Sequence, residues 1–237
     1  MLQRDHQCLP QEALKLIACI TMFIDHFGVA IVPSLSTPHI VAMYYILRSI
    51  GRIAFPIYCF LLVEGMRHTR DPYRYILRLA IGMPLAELPF DYLFKGSFTW
   101  EYQNVMLTLT LGAVMLLCMQ KTQNKWGKAL LPLPFAVVAE LCNCDYGGCG
   151  IGIIAVFALF DQLGLQVIGV LLFNWAMHSA IIPVVNIPVQ LLAVLAMIPI
   201  ACYSGVKLTR SKAVQWGYYL FYPMHMLFLW LLRWILW

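Results

Sequence analysis

EALKLIACITMFIDHFGVAIVP, residues 12–33, is the stretch that decides the fold. It is apolar at most positions and matches the roughly 20 residues that cross the hydrocarbon core of a bilayer as a helix. An acidic, polar leader from Met1 to Glu12 precedes it, and no small-residue cleavage site follows. It is therefore expected to be a retained helix and not a removed signal peptide. The rest of the chain has the same character: its 237 residues are 62% hydrophobic and only 11% charged. A soluble domain carries about 25% charged residues, so this chain has too few to cover a water-facing surface. No stretch outside the apolar segments is long enough for a separate soluble domain, and residues 1–237 read as a single domain.

Working outward, apolar segments fall at about 12–33, 39–67, 73–94, 104–120, 128–143, 150–163, 165–185, 187–203 and 214–235. Breakers separate them, among them Pro33 and Pro38, the turn from His68 to Pro72, Lys95-Gly96, Gly147-Gly148, Gly164, Pro188 and Ser204-Gly205. The expected fold is all-α, a polytopic transmembrane helical bundle with about nine spans. Loop charges orient it. Arg4 and Lys15 precede or open the first helix, and Arg67, Arg70, Arg74 and Arg78 flank the second turn. Lys121, Lys125 and Lys128 lie in the fourth connection, and Lys207, Arg210 and Lys212 in the eighth. The first, fifth and seventh connections carry no Lys or Arg, and the third only Lys95. Basic connections mark the cytoplasmic side, so the N-terminus is expected there and Trp237 outside. The net charge of +5 resides in these short loops, which argues against a nucleic-acid partner and for the lipid bilayer.

Ionisable groups inside a membrane are costly, usually paired and often functional. Asp25 and His26 lie about ten residues past Lys15, hence near mid-membrane at roughly 1.5 Å per residue. Arg48 and Arg52, and likewise Glu87 and Asp91, are spaced to share a helix face. Glu140, His178 and His225 sit deep in or toward the outer half of their helices, with Asn104, Thr108 and Asp145 near the same level. For each residue a structural ion pair, such as Arg52 with Glu87, competes evenly with a functional role. The set together implies a buried polar cavity. Asp25 and His26 point about 100° apart on a helix and cannot pair face to face, so His26 needs an orienting partner from another helix. A buried neutral imidazole whose tautomer is held is a competent general base. No serine-nucleophile motif, glycine-rich phosphate loop or HExxH is present. The cluster Cys142, Cys144 and Cys149 reads as packing or a disulfide ahead of a metal site, since no His is nearby. No metal is expected.

The run Leu14 to Ala18 with Met22 to His26 resembles the opening helix of the TraX family. So do Ile50 to Pro56, Phe60 to Gly65, His68 to Arg70, Tyr75 to Arg78, Asn104 with Thr108 and Gly112, Asp145 to Gly147, and Phe221 to His225. TraX-like proteins include the enzyme that acetylates the N-terminus of F-type conjugative pilin. They are similar to the large membrane acyltransferases that modify cell-surface sugars, which share a helix-one His, an Arg-bearing second helix and a late Tyr-x-x-His. The chain departs from those in lacking an Arg-Gly pair near the start of helix one. The resemblance implies an acetyltransferase of the bacterial inner membrane, with cytoplasmic acetyl-CoA as donor and an acceptor amine or hydroxyl on the outer side. His26 is then the general base, with Asp25, Arg52 and Glu87 in support and His225 in reserve. Arg48, Arg67, Arg70, Arg74, Arg78 and Tyr222 are the candidates for the donor, and Asn104, Asp145 and His178 for the acceptor. A nearby Arg, Asn104 or Tyr222 is placed to stabilise an oxyanion. Setting topology is an equally good reading of the loop arginines.

The competing class is a non-enzymatic carrier or scaffold whose buried charges form a proton or substrate path. Carriers commonly show inverted repeats, and none is visible. Basic loops inside and an acidic, His-rich mouth outside favour transfer across the membrane. A pilin N-terminus, a surface glycan and a small peptide remain equal candidates for the acceptor.

Overall fold

Prolines break some of the apolar segments and leave others as continuous helices, with Pro84 and Pro89 inside one and Pro223 inside another. The computed structural model describes residues 8–35, 38–177, 181–182, 187–209 and 211–236. The elements are α1 (Gln11–Ala30), α2 (Ile40–Gly51), α3 (Ala54–His68), α4 (Pro72–Phe94), α5 (Val105–Lys121), α6 (Lys125–Leu130) and α7 (Pro132–Leu141). They continue with α8 (Gly147–Leu159), α9 (Leu163–Ala176), α10 (Met197–Ala201) and α11 (Lys212–Leu236). Short 3-10 helices cover Val32–Ser34 and Val189–Ala196, and a two-residue antiparallel pair joins β1 (Ile181–Ile182) to β2 (Ile187–Pro188).

The fold is helical, as expected, and its helices are more broken than the hydropathy suggests. The second segment is interrupted at Arg52-Ile53. Pro56 has no N–H to give the Arg52 carbonyl, and its ring crowds that carbonyl. The fifth segment splits at Leu131 for the same reason, since Pro132 and Pro134 deny donors to Lys128 and Leu130. Among the described residues three stretches are long and apolar enough to cross a membrane: Gln11–Ser34, Ile40–His68 and Ala213–Leu236. Helices α5, α8 and α9 and the run Val189–Ala201 are apolar but shorter. The 13 residues of α8 reach about 20 Å, against a core about 30 Å thick. Helix α4 has the length, with 23 residues, but Arg74, Arg78, Glu87 and Asp91 interrupt its apolar character.

The chain folds as two compact units, Met1–Tyr58 with Ser179–Trp237, and Cys59–His178. In the first, α1 packs against α2 and α11, and α2 against the Val189–Ala196 turn. Gly51 makes the α1–α2 approach possible: a Cβ there would overlap the Asp25 carboxylate. The leader closes back on the same unit, with Leu9 bonded to Cys202 and Ser204 and the Glu12 carboxylate holding the N–H groups of Leu208 and Thr209.

In the second unit α8 is the central element, apolar on every side and packed by α5, α7 and α9. Its start is fixed by a turn in which Asn143, Tyr146 and Gly147 all take positive φ, with Glu140 accepting from the Gly148 N–H at 2.7 Å. The loop before α5 is tied to this turn by Gln103–Cys144 backbone pairing, by Tyr102 donating to Asp145 at 2.9 Å, and by Thr108 donating to the Asp145 carbonyl.

Candidate active site

Three helices and one turn of the first unit bring their polar side chains together. From α1 come Asp25 and His26, from α2 Arg48 and its C-cap Arg52, from the Val189–Ala196 turn Gln190, and from α11 Tyr222 and His225. Asp25, Arg52, Gln190, Tyr222 and His225 are all buried.

The four-residue spacing of the arginines now has a structural meaning. Both project from the same face of α2 onto one oxygen of Asp25: Arg48 donates at 2.5 Å and Arg52 at 2.6 Å. Arg52 also donates to Gln190 at 3.0 Å and to the Arg48 carbonyl at 3.3 Å. One carboxylate oxygen is thus shared by two guanidiniums. The Asp25–Arg48 pair ties α1 to α2. Within the first unit Arg52 holds Asp25, and within the second Glu87 is held by Asn104.

His26 finds its orienting partner in His225. His26 Nδ1 lies 2.6 Å from His225 Nε2, and His225 Nδ1 lies 2.8 Å from the Phe221 carbonyl. The rings are coplanar to within 10°, as an in-plane N–H···N bond requires. A carbonyl only accepts, so His225 Nδ1 carries a hydrogen and its Nε2, in the neutral ring, is an acceptor. His26 Nδ1 must then be the donor, which leaves the His26 lone pair on Nε2. The chain from Phe221 through His225 to His26 thus fixes the tautomer of a general base. Tyr222 meets His26 edge-on at 6.2 Å, and Phe221 and Phe23 flank His225 at 4.9 and 6.3 Å.

An apolar groove of about 450 Å³ runs along the same helices, lined by Leu16, Cys19, Ile20 and Phe23 of α1 and Val214, Gly217, Tyr218 and Phe221 of α11. Both quartets follow the i, i+3, i+4, i+7 stripe of one helix face. Phe23 and Phe221 close it at the histidine end. At the other end the Lys15 ammonium lies over the Tyr218 ring at 5.2 Å.

The remaining residues marked in the sequence belong to the second unit. Asn104 is fully buried and both ends of its amide are used: it accepts from Met106 N–H as the cap of α5 and donates to Glu87 and to the Met83 carbonyl. Asp145 is taken by Tyr102. Arg67 pairs with Glu64 and Asp161 at 3.6 and 3.3 Å and donates to the Phe157 and Ala158 carbonyls at the end of α8. Arg74 pairs with Asp71 at 3.0 Å, Arg78 lies over the Tyr75 ring, and Arg70 is exposed. His178 lies outside the described residues. Cys142, Cys144 and Cys149 are free thiols, and burial pushes the Cys144 thiol up to about 12. The sequence reading missed Gln190, a lone amide in an apolar run.

A family model described as TraX protein matches residues 10–233, which includes every residue of the first-unit cluster. A probable fimbrial assembly protein FimC, serogroup H1, of Dichelobacter nodosus is 27% identical over 228 residues, 90% of this chain and 91% of that protein. An uncharacterized protein of Rickettsia prowazekii (strain Madrid E) is 32% identical over 102 residues, 43% of this chain and 34% of that longer one. No solved structure matches the chain.

Proposed function

The chain belongs to the TraX family, and on that premise we propose that it is a transmembrane acetyltransferase, moving an acetyl group from cytoplasmic acetyl-CoA to an acceptor amine or hydroxyl at the outer face. The observation that carries the reading is the Phe221–His225–His26 chain, which holds a lone pair on His26 Nε2. In this reading Nε2 takes the proton of the acceptor as its nitrogen or oxygen attacks the thioester carbonyl. The oxyanion that forms faces the guanidiniums of Arg48 and Arg52. His26, now protonated, returns the proton to the departing thiolate, and Nδ1–H stays on His225 throughout. Tyr222 packs edge-on against His26. The fimbrial-assembly name of the Dichelobacter relative favours a pilin subunit's terminal amine over a surface glycan.

The groove supports a path for the donor's arm within the first unit. Lys15 at its proposed cytoplasmic end and the exposed Lys207 suit phosphate groups, and the opposite end stops at the histidines. Acetyl-CoA should therefore raise the thermal midpoint of the detergent-purified protein, and the shift should shrink with added salt. A Cβ at Gly217 meets nothing within 4 Å, so Gly217→Leu fills the groove without disturbing its walls. That variant should fold and lose the shift. An unchanged shift in Gly217→Leu moves the donor elsewhere, and no shift at any salt favours a carrier.

The proposed topology has about nine crossings with the shorter apolar helices as partial or tilted spans, an N-terminus in the cytoplasm and a C-terminus outside. Reporters fused to the two ends should signal from opposite sides of the inner membrane; signals from one side remove an odd number of spans.

A further inference from the structure

Glu87 and Asp91 stand one turn apart on α4, 5% and 0% exposed. Each carboxylate spends one oxygen on the loop that follows. Glu87 Oε2 accepts from the side-chain and backbone amides of Asn104, and Asp91 Oδ2 accepts from the Thr99 N–H at 2.9 Å. The other oxygen of each, Glu87 Oε1 and Asp91 Oδ1, is buried with no hydrogen-bond partner among the described residues. The cation of that loop, Lys95, bonds to the Thr99 hydroxyl at 3.2 Å, lies 4.0 Å from Glu101 and sits over the Tyr102 ring. Lys95 forms no ion pair within 4.0 Å with either buried acid among the described residues, and its charge acts on Glu87 from farther away.

Two neighbouring carboxyl groups out of water, each with an unmet oxygen, call for a positive charge or a proton beside them. A divalent metal would want a fuller set of acidic, His or Cys ligands, and no group of three is found among the described residues. Two carboxylate oxygens match a singly charged ion instead. Helix α4 fixes their spacing, and Asn104 and Thr99 fix their orientation, so the pair is built before the ion arrives.

We propose that Glu87 Oε1 and Asp91 Oδ1 form a site for a small monovalent cation, either an alkali-metal ion or a primary ammonium. The proposal stands independently of the acetyl-transfer reading. Occupancy would pin the loop of residues 95–104, and through Asn104 the start of α5.

Thermal unfolding of the full-length protein in detergent tests it, with choline chloride as the reference salt because its quaternary head has no N–H to donate. Sodium chloride and methylammonium chloride are titrated in at constant ionic strength. Either should raise the midpoint saturably, as a ligand of the folded state does. Sodium acting alone identifies a metal-ion site, and methylammonium acting alone an amine site. Glu87→Gln with Asp91→Asn keeps the shape and the acceptors for Asn104 and Thr99, and should abolish the response. Should that variant not fold, the wild-type titration decides. A midpoint indifferent to both cations relative to choline, and falling as the pH is raised, identifies a protonated acid pair and overturns the proposal.

Discussion

Replacing His26 with Ala should lower acetyl transfer by about 10² to 10⁴, the usual range for loss of a general base, while donor binding and folding persist. The fold survives because the side chain removed is neutral in the tautomer its partners impose. What remains behind is the His225 Nε2 acceptor, buried without its donor, at a cost of about 1–3 kcal/mol. The measurement is turnover with acetyl-CoA and an amine acceptor, set beside the acetyl-CoA thermal shift. His225→Ala tests the direction of the chain. It leaves the base in place but releases its tautomer, so turnover should fall less than in His26→Ala and its pH dependence should change. A larger loss in His225→Ala than in His26→Ala would reverse the two roles.

That asymmetry was only half legible in the sequence. Depth along α1 and the need for a partner on another helix both point at His26, and Tyr222 with His225 stands out as an i, i+3 pair on a late helix. Their meeting joins residues 199 apart, and no local periodicity encodes such a distance. The arginines show the same limit from the other side. Their spacing puts them on one face, yet depth cannot choose between carboxylates at a similar level on different helices, and only the tertiary contacts show both arginines on Asp25. Gln190 carried no signal, because a single amide among Val and Leu also reads as a satisfied polar group. Helix lengths were misjudged at Pro56, Pro132 and Pro134, where hydropathy runs smoothly but the backbone loses a donor, whereas Pro84, Pro89 and Pro223 sit inside unbroken helices. The apolar runs revealed that the chain is helical and membrane-bound, and the tertiary contacts decide which polar groups face one another.

Asp25→Asn should damage the protein itself rather than its chemistry. The carboxylate is 6% exposed and is the anion beside Arg48 and Arg52. Asparagine fills the same space against Gly51 but brings no charge, so two guanidiniums are left facing each other inside the helix pair. Breaking a buried pair by removing one partner costs about 3–5 kcal/mol, a large part of the roughly 5–15 kcal/mol that holds a domain together. At about 2–4 °C per kcal/mol for a chain of this size, the midpoint should drop by about 10 °C. The two arginines should not respond alike. The Arg52 side chain is 9% exposed and Arg48 24%, so solvent already relieves part of the Arg48 charge. Arg48→Met should therefore cost less than Arg52→Met. In the Asp25→Asn background, Arg48→Met should restore stability, because it removes one of two repelling cations. A double-mutant cycle reads that coupling directly. If Asp25→Asn unfolds at the wild-type temperature, or if Arg48→Met destabilises it further, the Asp25 carboxylate does not hold α1 to α2 by charge, and the polar cluster must be held by Gln190 and the histidine chain instead.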